Sequence, residues 1–145
     1  MSATYLTKFN NTLEQLIESL QEVVRDDYPD LEKTLRMFGD RLNMLRKANP
    51  RKIMDGFIYW VYPYREEILN KQESFFLGHS FQEVSESGYD SIVNMLHIKE
   101  IWKEYATPQI KETIWDYFQV MILLCERFAD EKGGMNNFSL RVRNE

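Results

Sequence analysis

Residue types able to do chemistry are sparse in this chain. It has two histidines, His79 and His97, and one cysteine, Cys125. No His-x-x-x-His or Cys-x-x-Cys spacing occurs, so no metal-ligand motif is expected. Glu83, Glu86 and Asp90 have helix-like spacing but fall in or beside a Gly/Ser-rich stretch, which reads as a solvated acidic loop. Gly78-His79-Ser80 lacks the Gly-x-Ser-x-Gly pattern that exposes a nucleophilic serine on a strained turn. Cys125 sits among apolar neighbours with only Arg127 nearby, whereas a reactive thiolate needs several cations or a helix N-terminus. Glycine-rich phosphate cradles are absent as well. The expectation is a non-enzymatic protein with no catalytic residues, no metal and no cofactor.

Two constellations point to binding. Arg46, Lys47, Arg51 and Lys52 place four cations within seven residues, around Asn49-Pro50. Asn at a cap and Pro at a first helical position predict a helix start there. Exposed N–H groups and a partial positive charge would add to the cations. Phosphate or an acidic peptide is the matching ligand. The bland reading is that Arg46 and Lys47 close the preceding helix, where cations favour its dipole. The second constellation is the run Phe57 to Tyr64, richer in rings than one buried face needs. Phe57, Trp60 and Val61 share an inward face, which leaves Tyr59 and Tyr62 outward as candidate partner anchors. Core packing is the competing reading of that run.

The C-terminal tail has another texture. Phe138, Leu140 and Val142 alternate with Ser139, Arg141 and Arg143. That period-2 pattern suits a half-buried strand and, with no sheet to join, is either an extended arm on a partner or a frayed terminus. The partner-binding set is therefore Tyr59, Tyr62, Phe138, Leu140, Arg141, Val142 and Arg143, with the acidic stretch 73–90 beside it. The anion-binding set is Arg46, Lys47, Arg51 and Lys52.

The elements that must position these residues are helical. Leu6, Phe9, Leu13, Leu16, Leu20 and Val23 recur at 3-4-3-4-3, which predicts a helix from about Ala3 to Arg25. Leu31, Leu35, Phe38, Leu42 and Leu45 recur at 4-3-4-3, giving a second helix from about Asp30 to Lys47, capped by Asp30. The short break between them predicts an antiparallel hairpin. Gly39 interrupts the second helix and invites close approach of a neighbour. The third helix carries Ile53, Phe57, Trp60 and Val61 until Pro63 stops or kinks it. Tyr64 to Leu69 continues as a short helix. Residues 72–88 read as irregular, with Phe75, Phe76, Leu77 and Phe81 plugging the bundle. A fifth helix runs from about Tyr89 to Tyr105, and a last one from Pro108 to Lys132 behind a Thr107 cap. Gly133-Gly134 ends it.

Bulk composition agrees. A length of 145 residues suits one domain, and 43% hydrophobic residues suffice for a core. With six glycines and four prolines, breakers are few, which favours helices. The expected fold class is all-α: a compact bundle of five to six helices, with an N-terminal antiparallel hairpin and an extended C-terminal tail. Residues 1–134 form the domain and 135–145 the tail. A net charge of −5 opposes a general nucleic-acid coat, so a protein is the favoured partner and nucleic acid the lesser one. One cysteine allows no intrachain disulfide. The N-terminus lacks a signal-peptide pattern. The longest apolar run, residues 120–125, falls well short of the roughly 20 residues of a membrane span. An intracellular location is expected.

Two stretches carry a resemblance. Asn49-Pro50-Arg51-Lys52 leads into Pro63-Tyr64, Ile68-Leu69-Asn70-Lys71 and Glu73-Ser74-Phe75-Phe76-Leu77. Ile98-Lys99-Glu100-Ile101-Trp102-Lys103 is followed by Lys111-Glu112-Thr113-Ile114-Trp115-Asp116-Tyr117-Phe118. Together they resemble short helical proteins of large nucleocytoplasmic DNA viruses of algae and amoebae, over roughly the last two thirds of the chain. The resemblance implies a viral accessory or structural protein of host cytoplasm or virion. It supplies no catalytic residues.

Overall fold

The computed structural model describes residues 2–78 and 101–135. The fold is all-α, and no strand occurs among the described residues. Helix α1 spans Ser2–Val24 and α2 spans Pro29–Ala48. Phe9, Leu13, Leu16, Ile17, Leu20 and Val24 of α1 are all buried, as their spacing requires. From α2, Leu35, Phe38 and Leu42 meet them. Three polar contacts fix the sense of this pair. Near the turn, Gln21 Nε2 donates to Glu32 Oε1 at 3.4 Å. Further along, Arg46 donates to Glu14 at 2.9 Å, and Asn10 Nδ2 donates to the Pro50 carbonyl at 3.0 Å. The last residues of α1 thus face the first of α2, so the hairpin is antiparallel. Gly39 does allow a close approach. A Cβ there would lie 3.4 Å from Ile17 Cγ2.

Helix α3 spans Lys52–Trp60 and starts later than expected. Asn49 caps the C-terminus of α2 instead, its N–H returning to the Leu45 carbonyl at 2.8 Å. Its backbone is extended, so the chain turns through Pro50 before winding again. Helix α2 likewise starts at Pro29, with Tyr28 at the cap and no side-chain cap bond. Proline takes the first helical position, which moves Asp30 into the first turn, where its charge suits the dipole. Pro63 produces the expected stop: a 3-10 turn over Tyr62–Tyr64 links α3 to a short α4, Arg65–Leu69.

Residues 74–78 depart from the irregular reading, forming a short helix, α5, over Ser74–Gly78. Phe75 and Phe76 are fully buried, as a plug should be, while Leu77 is partly exposed. Successive helical residues diverge by about 100°, so three in a row cannot all face inward. The remainder of that stretch lies outside the described residues. So does most of the expected fifth helix; its described end, Ile101–Tyr105, is one wide π-type turn.

Helix α6, Pro108–Asp130, closes the bundle. Thr107 caps it, its hydroxyl accepting from the Ile110 N–H at 3.2 Å. Gly133 and Gly134, at φ of 99° and 104°, follow its end, and the Gly134 N–H returns to the Ala129 carbonyl at 2.9 Å. Its buried residues include Ile114, Trp115, Phe118, Met121, Ile122, Cys125 and Phe128; the helix packs on α1 and α4, and its rings reach α3 and α5. Ser19 and Tyr117 hydroxyls meet at 3.2 Å across the α1–α6 contact. At the centre sits an aromatic cluster. Phe76 is 4.6 Å from Trp102, 4.8 Å from Trp115 and 5.3 Å from Phe118, centroid to centroid. Phe57 joins it through Phe118 and continues to Phe9 at 5.2 Å. One core therefore runs from α1 to α6.

Candidate functional site

The lone thiol is placed where reactivity is lost. Cys125 is fully buried. Burial pushes its pKa well up, and the nearby Glu126 and Asp55 carboxylates push the same way. Among the described residues, no group of three His, Cys, Asp or Glu side chains gathers closely enough to hold a metal ion. His79, His97, Glu83, Glu86 and Asp90 lie outside the described residues.

The basic junction holds together in space but not as four open cations. Arg46 is half-buried and bound to Glu14. Arg51 pairs with Asp55 at 3.2 Å, and its guanidinium carbon lies 5.6 Å from the centre of the Phe128 ring. Lys47 and Lys52 are exposed and make no ion pair among the described residues. Asn49 is not the cap of α3. Its Oδ1 still accepts from the Arg51 N–H, at 3.3 Å, which occupies one of the donors an anion would use. Two lysines thus remain as the open charge of the junction.

Tyr59 and Tyr62 do not stand clear in solvent. Both are half-buried and pack against the core. The Tyr62 hydroxyl donates to Glu126 Oε2 at 2.7 Å, and Arg65 Nε donates to the same oxygen at 2.7 Å. Arg65 also reaches Glu66 at 2.9 Å. Burial raises the Tyr62 pKa, and the adjoining Glu126 carboxylate raises it further. That hydroxyl stays protonated and tied to α6. Sequence spacing gives no sign of this, because Tyr62 and Glu126 are 64 residues apart. Of the acidic stretch, Glu73 is described and bonds Lys111 at 3.3 Å. Phe138, Leu140, Arg141, Val142 and Arg143 lie outside the described residues.

Among the described residues, the most open large apolar side chains lie elsewhere, on the outer face of α2. Met37 is 62% exposed and Met44 72%. They are one heptad apart, so they share a face opposite Leu35, Phe38 and Leu42. Lys33, Asp40 and Lys47 complete that stripe at 4-3-4-3 spacing, and all three are exposed. None of them makes an ion pair among the described residues. Beside the stripe, a polar groove of about 280 Å³ opens between α1 and α2 over Gly39, rimmed by Glu18, Gln21 and Asp40. A sequence signal for the stripe exists, in that two methionines occupy the polar side of α2. The stronger leucine pattern on the inner face masks it. No helix among the described residues is long and apolar enough to cross a membrane. The chain matches no known family model, and neither a curated protein nor a solved structure proves similar to it.

Proposed function

We propose that this chain is a protein-interaction module and that the outer face of α2 is its docking surface. The exposure of Met37 and Met44 carries the reading. Methionine adapts its shape to a partner, and two on one face with flanking charges give an apolar strip with a polar rim. The face belongs to a helix anchored on its other side by Leu35, Phe38 and Leu42, so it is presented rigidly. Nucleic-acid binding at the junction is the weaker reading. Arg46 and Arg51 already hold Glu14 and Asp55, leaving Lys47 and Lys52 to meet phosphate.

The test is recovery of partners by tagged wild-type protein and by a Met37→Glu/Met44→Glu variant. Both side chains are exposed, so the variant should keep the helical circular dichroism of the wild type. A stoichiometric protein partner held by the wild type and lost by the variant supports the reading. Equal recovery by both, or recovery only through nucleic acid, overturns it.

A further inference from the structure

The outer stripe of α2 reads Lys33, Met37, Asp40, Met44, Lys47: cation, apolar, anion, apolar, cation. Such a stripe constrains what it can meet. Lys33 and Asp40 are seven residues apart, so they lie along the same edge of the helix, within about 20° of each other. When two identical helices pair antiparallel about a twofold axis, equivalent edges adjoin. Charge then selects the register. An axis at Asp40 would set Asp40 on Asp40 and Lys33 on Lys47, which is repulsive at every polar position. Moving the axis to Met37 sets Met37 on Met37 and Lys33 beside Asp40, twice. An axis at Met44 also pairs unlike charges, Asp40 with Lys47. There, however, only Asp40 to Ala48 overlaps before the chain turns at Asn49, whereas an axis at Met37 overlaps α2 from Pro29 to Leu45.

We propose that α2 is a homodimer contact, antiparallel, with Met37 on the twofold axis and Lys33 paired to Asp40 of the partner subunit on both sides. The proposal rests on the outer face of α2 being a docking surface, and takes a second copy of the chain as the occupant. Exposed charges on both sides of Met37 are what the arrangement requires, and Lys33 and Asp40, which make no ion pair among the described residues, supply them. The apolar contact is the Met37 pair on the axis, since Met44 then falls level with Asp30 of the partner subunit, so the dimer is weak and concentration-dependent.

Sedimentation equilibrium of the purified full chain over a wide concentration range tests it. The wild type should pass from monomer to dimer. Lys33→Asp alone and Asp40→Lys alone should each weaken self-association by about tenfold, because each reversal enters the contact twice. The double variant Lys33→Asp/Asp40→Lys should restore it, since unlike charges again face each other. Met37→Cys supplies a second measurement. Mild oxidation should link two copies through that position, with the buried Cys125 taking no part. A wild type that stays monomeric, single reversals without effect, or no rescue by the double variant would overturn the dimer. A monomer that still loses a protein partner on Met37→Glu/Met44→Glu removes only the self-pairing. A monomer with partner recovery unchanged removes the docking face as well.

Discussion

Tyr62 and Glu126 are joined by a 2.7 Å hydrogen bond that ties the turn after α3 to the last third of α6. Arg65 donates to the same carboxylate oxygen. Glu126→Gln keeps the shape and removes the charge. Hydrogen bonds to charged groups contribute roughly 1.5–3 kcal/mol, less where solvent reaches the pair, so a loss of about 1 kcal/mol in urea denaturation is expected. Absorbance titration supplies the second readout. In the wild type one phenol should ionise later than the rest, because burial and Glu126 both oppose its charge. In Glu126→Gln that phenol should ionise earlier. An unchanged titration would mean the bond does not hold in solution.

Glu32 gives a pH dependence of known sign. Its hydrogen bond to Arg36 is the largest influence and holds its pKa below the ordinary 4.5. A lowered carboxylate pKa stabilises the fold above the unfolded value, and that contribution fades as pH falls through the folded one. The difference in melting temperature between wild type and Glu32→Gln should therefore be largest above pH 5 and shrink as pH drops below about 4.5. A difference that stays constant from pH 7 to pH 3 would show that Arg36 does not hold the carboxylate.

Two glycines should respond in opposite directions. Nothing lies within 4 Å of a Cβ built on Gly56, which sits mid-helix in α3. Gly56→Ala should raise stability by about 1 kcal/mol, because glycine is the poorer helix former. Gly134 has φ of +104°, where an L side chain is strained. Gly134→Ala should lower stability by about 1 kcal/mol or more despite the open space around it. Chemical denaturation of both variants checks the pair.

Phe76 contacts both Trp102 and Trp115. Phe76→Ala should cost about 3–5 kcal/mol through the cavity it leaves. Tryptophan emission of the folded variant should shift from that of the wild type, since both indoles lose a neighbouring ring. Retention of both stability and spectrum would mean the plug is not seated.

What the sequence disclosed follows the range of each interaction. The 3-4 spacing in α1 and α2 depends on neighbours along one helix, and it located the buried faces correctly. Thr107-Pro108 is a local signal and marks the start of α6. Asn49-Pro50 is the same local signal and misled, because Asn49 is used by the helix before it rather than the one after. The Tyr62–Glu126 bond and the Arg46–Glu14 pair join distant segments, and no local spacing encodes them. Tyr62 looked outward for that reason. Met37 and Met44 were visible all along, yet only burial of the opposite face of α2 makes their exposure meaningful.

The position of α1 between α2 and α6 also favours one order of assembly. The α1–α2 hairpin closes over a short stretch of chain, whereas the Ser19–Tyr117 contact spans 98 residues. During synthesis the hairpin can form early, with Leu16 and Leu20 uncovered along the side where Ile110 and Ile114 of α6 will lie. Until the ribosome has released the second half, the nascent chain carries an open apolar flank. Fragments ending before Pro108 would keep that flank permanently and would be substrates for chaperones and proteases.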